Sequence, residues 1–413
     1  MIRLIGRTHD RASYELRDFL SRTVVTYEWL DVDGADGRTR SSVGADPLDD
    51  DRLPVCVLPG GLRVEAATVA DVAGHLGWIQ KPRLAEYDVS IYGAGPAGLS
   101  AAVYAASEGL STVLLEREAV GGQAGTSSAI ENFLGFPGGI SGAVLAERAR
   151  QQAVSFGAEI LLLREGVKAH FAGERIHVQL ADGGRMVARA NICATGVEYR
   201  RLGLAGEEAL LGRGLSYGAG AAEAPLCESE EVYIIGGGNS AGQAAMHIAA
   251  HAAHVTLLVR GHRPAASMSH YLLERLEAHP RIDIGTDVEV VALHGEERLE
   301  AISVRTGEGG KRELATSRLF VLAGGKPNTE WASETLILRD PAGYLITGAD
   351  LLEERGFRGH WDRDRPPFYL ETSVPGSFAV GDVRRGSVKR VASAVGEGAM
   401  AVQFVHRYLE ETV

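Results

Sequence analysis

Short apolar runs bounded by turn-forming residues alternate along the chain with stretches whose apolar residues recur every three or four positions. That is the rhythm of strands set between amphipathic helices. Residues 2–5 predict a strand, 12–21 a helix carrying Tyr14, Leu16, Phe19 and Leu20 on one face, and 24–32 a second strand. A charged stretch rich in Gly and Asp follows, then Leu53-Pro54-Val55-Cys56-Val57-Leu58 as a strand and 69–76 as a helix. Lys81-Pro82-Arg83 reads as a linker. After it come an apolar strand at 89–92, a small-residue helix at 99–109 and a strand at 112–115. Past Gly121-Gly122-Gln123-Ala124-Gly125, a helix over 142–156 and β-rich segments lead to Ala190-Asn191-Ile192-Cys193-Ala194-Thr195-Gly196. Small residues there suit a backbone that must pass close to something bulky. The alternation repeats with a strand at 232–235, a helix at 242–250 and a strand at 255–259. The last segment predicts a strand running into Gly381-Asp382 and a helix over 394–409.

Two of these strand-to-helix turns carry the same chemistry. Gly93-Ala94-Gly95-Pro96-Ala97-Gly98 fits G-x-G-x-x-G between a strand and a helix. Gly93 permits the tight turn, Gly95 admits a pyrophosphate to the backbone, and Gly98 lets the helix lie on the strand. Glu116 ends the next strand, about 20 residues on, where a carboxylate binds ribose hydroxyls. Gly236-Gly237-Gly238-Asn239-Ser240-Ala241 fits G-x-G-x-x-G/A. Its following strand ends in Arg260, with His262 and Arg263 beyond, where an NAD site would carry Asp or Glu. These charges suit a 2′-phosphate and favour NADPH over NADH, the other reading being a solvated loop. One glycine loop is weak evidence of dinucleotide binding; two in one chain are much more specific.

Composition narrows the class. The chain has 413 residues, 45% hydrophobic and 23% charged, which suits two or three soluble domains. A net charge of −12 disfavours nucleic-acid binding. No apolar run is long enough for a membrane span and the amino terminus has no apolar signal core, so the expectation is a cytoplasmic protein. Cys56, Cys193 and Cys227 stand far apart and form no C-x-x-C, so neither a disulfide framework nor a metal site is indicated.

From about residue 85 onward, this order of motifs resembles the thioredoxin reductase branch of the flavoproteins with two dinucleotide-binding domains. The resemblance implies an α/β fold with two Rossmann-like domains. An NAD(P)-binding domain over 207–327 is inserted between the two parts of an FAD-binding domain, 85–206 and 328–413. The element order of residues 1–80 resembles a thioredoxin or glutaredoxin. Leu53-Pro54 falls at that fold's cis-proline, and Asp10-Arg11-Ala12-Ser13 stand where its redox cysteines would be. Such a domain keeps its shape without thiol chemistry and reads as a docking or interface module.

By the same resemblance, Gly93, Gly95, Pro96, Ala97, Gly98, Glu116 and Arg117 bind the ADP half of FAD. Gly122, Gln123 and Asn132 lie beside the flavin, and Thr195 and Gly196 line the dinucleotide. Gly381 and Asp382 meet the ribityl-phosphate region, and the backbone at Arg390, Val391 and Ala392 faces the ring. Gly236, Gly238, Asn239, Ser240, Ala241, Arg260 and Arg263 bind NADPH or NADH. Relatives imply a homodimer.

One departure governs function. The family carries a redox C-x-x-C just after a Ser-Tyr-like pair. Here Ser216-Tyr217 lead into Gly218-Ala219-Gly220-Ala221, with Gly218 and Ala221 at the cysteine positions. Flavin-to-dithiol transfer needs a sulfur pair, and Gly and Ala supply none. Cys227 reads as structural. The leading expectation is an FAD-dependent oxidoreductase moving hydride between NAD(P)H, the flavin and a non-thiol acceptor. That acceptor is a small molecule, a carrier protein or oxygen. Tyr217, Gly218 and Ala221 would form the substrate face, though Tyr217 also reads as core packing. An alternative is a flavin oxidase or dehydrogenase acting on a metabolite, or on a carrier-tethered intermediate of natural-product assembly, with the amino-terminal domain as docking surface. A second alternative is a flavin-bound redox sensor without turnover.

Overall fold

The fold is that of a computed structural model describing residues 1–34, 50–218, 220–264, 268–307, 309–359 and 361–412. Most of the Gly- and Asp-rich stretch after the second strand, and Ala219, lie outside the described residues. The chain forms two compact units. One comprises Met1–Leu76, Thr126–Ala129 and Tyr199–Gly324; the other comprises Gly77–Gly125, Ile130–Glu198 and Gly325–Val413.

The second unit is built on the strand Glu86–Tyr92, which pairs in parallel with Thr112–Glu116 on one side and Arg185–Cys193 on the other. Glu159–Leu162 extends one edge, and the antiparallel strands Arg175–Leu180 and Gly166–Ala172 the other. A strand flanked on both sides and covered on both faces is buried at its centre, and Val89, Ser90 and Ile91 are fully buried, the Ser90 hydroxyl bonded to that of Tyr92 at 3.1 Å. The helix Pro96–Ser107 starts with Pro at its first position and ends before Gly109, in the left-handed region at φ +87. Its alanines present a shallow surface to the helix Val391–Glu411. The two approach so closely that a Cβ at Gly398 would overlap the carbonyl oxygen of Ala97 and lie 3.0 Å from the Ala101 amide. The carboxy-terminal helix starts at Val391 rather than 394, because Arg390 is extended and already serves as its N-cap. Arg390, Val391 and Ala392 are therefore the cap and first turn of a helix.

The first unit holds a five-stranded parallel sheet in the order Leu215–Tyr217, Arg318–Val321, Glu231–Ile235, His254–Val259, Ile282–Thr286. The helix Asn239–Ile248 connects its central strand to the next, as the sequence predicts for the second glycine loop. A three-stranded antiparallel sheet follows. Residues 1–76 add a four-stranded sheet in the order Tyr27–Asp31, Ile2–Gly6, Val55–Val57, Arg63–Val64, the first pair parallel and the rest antiparallel. The helices Arg11–Arg22 and Val69–His75 belong to it, and the Leu53–Pro54 bond is cis. The second strand begins at Tyr27 rather than 24, because Val24 takes a left-handed turn (φ +56) that ends the preceding helix. Among the described residues no helix is long and apolar enough to cross a membrane.

Two outcomes follow from this packing. Gly398→Ala overpacks the helix contact and costs about 1–3 kcal/mol, seen as a lower midpoint in thermal unfolding. In the first unit, burial and the nearby Arg318 push His9 down to about 4 from 6.5. The native state therefore binds fewer protons than the unfolded chain between those values, and stability falls as pH drops through that window. His9→Asn is expected to lose less of its unfolding midpoint between pH 7 and pH 4.5 than the wild type does.

Candidate functional site

In the second unit the first glycine loop is held by its own backbone. The Gly93 amide donates to Leu115 O at 2.8 Å, and Gly93 sits at φ +101 with its Cα facing Ala194, whose carbonyl oxygen a Cβ would meet at 2.5 Å. A Cβ at Gly98 would overlap the carbonyl oxygen of Gly93. The small residues before Thr195 are thus explained by the close passage of this turn. Gly95 differs: nothing lies within 4 Å of where its Cβ would stand. It is the N-cap of a helix that no side chain caps, and the first intrahelical bond is Leu99 to Gly95 O at 2.9 Å. The amides of the first turn and the positive end of the helix dipole face that open space, with small Ala97 beside them.

Glu116 is buried at the end of its strand. Its carboxylate accepts from the Ala94 amide at 2.7 Å and from the Glu118 amide at 2.8 Å, which fixes it beside the loop. Arg117 pairs with Glu118 and, at 3.8 Å, with Glu198. The turn at Gly121–Gly122 is clamped onto the loop. Gly121 donates to Ala94 O at 2.8 Å, and Gly122, at φ +53, would bring a Cβ to 3.2 Å from the Gly95 Cα. Gln123 donates to Val197 O at 2.7 Å, while Thr195 Oγ1 donates to Asn328 O at 2.9 Å. Gly196 accepts from the Asn328 amide at 3.1 Å. Gly381 packs near Ala97, and its amide donates to Glu397 at 2.7 Å, a carboxylate also paired with Arg384. Burial raises the Asp382 carboxyl above its ordinary value. Asn132 is exposed in the segment closed by the Ile130–Ile140 bridge and is not drawn into this cluster by any side-chain bond.

The residues meet the demands of a dinucleotide: an uncapped helix start, a cradle that any side chain at Gly95 would fill, and a fixed carboxylate for ribose. Glu397 was not foreseen from the sequence. Its partner is a backbone amide 16 residues away, and no spacing rule marks it.

In the first unit, Gly236 (φ +150) would bring a Cβ to 2.8 Å from Leu322 O and 2.9 Å from Ala241. Gly238 is the N-cap of the helix Asn239–Ile248, again without a side-chain cap. Asn239 turns away and accepts from the Ser269 amide at 2.7 Å, which leaves the helix end open; Ser240 is exposed. Arg260 and Arg263 are exposed beyond the strand end, and His262 pairs with Asp287 at 2.6 Å.

Gly218 has φ +100, and its Cβ would lie 3.1 Å from the Tyr199 ring; Gly220, at φ +52, would meet the Phe320 ring at 2.6 Å. A side chain at either position is thus both strained and crowded. Ala221 is exposed and its carbonyl bonds the His247 ring. Tyr217 donates to Glu207 at 2.5 Å and accepts from the Leu202 amide at 3.0 Å, and Arg201 lies over its ring. Its proton is therefore committed within the fold, and burial beside Glu207 raises its pKa further. All three cysteines are buried and free. Burial pushes Cys56 up to about 11 and Cys193 and Cys227 to about 12, so each is a protonated thiol at neutral pH. The Cys227 thiol donates to Glu223 O.

Comparison with known proteins agrees with this geometry. The family model described as pyridine nucleotide-disulphide oxidoreductase matches residues 87–398. A thioredoxin reductase of Treponema pallidum (strain Nichols) is 33% identical over 328 residues, which are 79% of this chain and 98% of that protein. One from Streptomyces clavuligerus is 33% identical over 324 residues, 78% of this chain and 94% of that protein. Among solved structures, the thioredoxin reductase of Lactococcus lactis in its FR conformation superposes with a TM-score of 0.69 at 28% identity, covering 79% of this chain and 99% of that one. That of T. acidophilum gives a TM-score of 0.70 at 27% identity, covering 80% of this chain and all of that one. The thioredoxin reductase family is one of FAD-dependent enzymes that use NADPH. With two open glycine-loop helices that each follow a parallel strand and a family match spanning most of its length, this chain belongs to the pyridine nucleotide-disulphide oxidoreductases and is thioredoxin reductase-like.

Proposed function

We propose that this chain is an FAD-dependent oxidoreductase that draws hydride from NADPH and passes the electrons to an acceptor other than a disulfide. The observation that carries the reading is the state of its sulfur. Gly218 and Ala221 stand where a redox pair would be needed, and Cys56, Cys193 and Cys227 are buried, separate and protonated. Thiol exchange requires a thiolate with access to its partner, and none of the three offers one.

Bound FAD supplies the two-electron chemistry. The chain's own residues hold it. The amides at the start of Pro96–Ser107 take the pyrophosphate, with Gly95 leaving room, and Glu116 takes the ribose hydroxyls. Gly122, Gln123 and Asn132 border the flavin, Thr195 and Gly196 line the dinucleotide, and Gly381 and Asp382 meet the ribityl phosphate. The uncapped start of Val391–Glu411, at Arg390, Val391 and Ala392, would face the ring, and its positive end would favour added negative charge there. In the other unit, Gly236, Gly238, Asn239, Ser240 and Ala241 form the NADPH turn. Arg260 and Arg263 meet the 2′-phosphate. Tyr217 shapes the wall of the acceptor side rather than donating a proton, because its hydroxyl is bonded to Glu207.

The amino-terminal module fits a thioredoxin-like domain in its strand order and its cis Leu53–Pro54 bond. Its first helix is capped by Asp10 bonding the Ser13 amide, in the place of a redox thiol. We read it as a structural module and the whole as a homodimer.

Two measurements test this reading. Because nothing crowds a Cβ at Gly95, Gly95→Val is expected to fold with an unchanged unfolding midpoint in the apoprotein while retaining less than a tenth of the wild-type FAD, measured as flavin absorbance per protein. In anaerobic stopped flow, NADPH is expected to bleach the bound flavin, and a naphthoquinone, but not a protein disulfide, to restore its colour. Failure of NADPH to bleach it would sink the proposal in favour of an enzyme that takes electrons from a metabolite.

A further inference from the structure

The family match begins at residue 87, so residues 1–76 are an addition to it, and the cysteine-free loop from Gly218 is a departure within it. These two peculiarities meet at one side chain. Glu223 closes the loop, its amide donating to Gly220 O at 2.9 Å, and it is almost wholly buried. One of its oxygens receives Arg17 through Nε at 3.0 Å and Nη2 at 2.9 Å. The other receives Nη1 of Arg318 at 3.3 Å. Arg17 lies on the helix Arg11–Arg22 with 1% exposure, stacked 4.5 Å over Trp29, and its Nη2 also donates to Thr8 O at 3.1 Å. Arg318 is held in turn by Glu230 at 3.1 Å and by Leu226 O at 3.1 Å. On the surface nearby, Arg11 pairs with Glu208 at 2.7 Å, and the backbone of Gly212 lies against Arg11 and Tyr14.

A loop containing Gly218, Gly220, Ala221 and Ala222 has little conformational preference of its own, since glycine ranges freely and alanine adds no contacts. Something outside it must hold it. Charges taken this far from water are stable only while each keeps its partners, so Arg17 and Glu223 fix one another's position. We propose that the amino-terminal module is a built-in clamp on the acceptor loop, in which Arg17 is a positioning residue that sets residues 220–223 through the Glu223 carboxylate. The module thereby supplies the restraint that a cross-linked loop would have had from its own sulfur. The loop's role toward the acceptor rests on the function proposed above; the clamp itself does not.

The test uses the full-length holoprotein and the variants Arg17→Met, Glu223→Gln and the charge-free pair Arg17→Met/Glu223→Met. Hydrogen exchange is followed in peptides spanning 214–227 and in the strand Glu231–Ile235, with naphthoquinone turnover by NADPH measured alongside. In Arg17→Met, exchange over 214–227 is expected to rise at least tenfold while the strand stays within twofold of wild type. KM for the quinone should rise about fivefold or more with kcat changed less than twofold. The double variant should stay loosened over 214–227, because the link between module and loop is gone; recovery to wild-type exchange would trace the rise to an unpaired buried charge and overturns the clamp. Unchanged exchange over 214–227, or an equal rise in the strand, overturns the clamp. Should Arg17→Met not fold, Arg17→Lys keeps the charge without the two-pronged contact, and a threefold or greater local rise supports the clamp while none overturns it. If naphthoquinone is not reduced even by wild type, the acceptor reading fails, and the exchange result still decides the clamp.

Discussion

Where the strand Glu86–Tyr92 turns into the helix Pro96–Ser107, three stretches of backbone meet with no room for a side chain between them. Gly93 faces the Ala194 carbonyl, Gly98 faces the Gly93 carbonyl, and Gly398 faces the Ala97 carbonyl. This crowding sets the rest. It aligns the open end of the helix with the end of the sheet, brings Glu116 to the Ala94 amide, and leaves Gly95 as the one glycine of the turn with empty space at its Cβ. A dinucleotide site is what remains when packing has closed every other side of the turn. The second glycine loop repeats the device, with Gly236 against Leu322 and Ala241.

Much of this was legible in the sequence because it is local. The glycine spacings, the strand and helix on either side and the position of Glu116 are set by neighbours along the chain, and the structure has them within a few residues of the predicted bounds. The discrepancies arise at caps. Arg390 begins a helix three residues early because an extended residue can serve as N-cap without any side-chain signal, and Val24 ends one by a left-handed turn that its β-branched side chain argues against. The element order of residues 1–76 was also readable, although the strand Arg63–Val64 is too short to carry a period of its own.

What could not be read is the polar bonding between distant residues. Tyr217 looks like a free hydroxyl until Glu207 accepts its hydrogen bond, and Gly381 looks like a bare turn until Glu397 caps it. Arg17 carried a signal that was available in principle: it lies between Leu16 and Phe19 on the apolar side of its helix, and a cation there must find a buried acid. No rule of spacing names Glu223 as that acid, 206 residues away.

The contact between the helices Pro96–Ser107 and Val391–Glu411 bears on how the protein is made. The first unit has all of its strands once the ribosome has passed Gly324, whereas the second has only its early half. Until Val391–Glu411 emerges, the alanine face of Pro96–Ser107 has nothing to lie against, and the turn at Gly381 lacks Glu397. Domains fold as they are completed during synthesis. The unit with the second glycine loop and the amino-terminal module therefore has all its parts on the ribosome before the unit with the first glycine loop does.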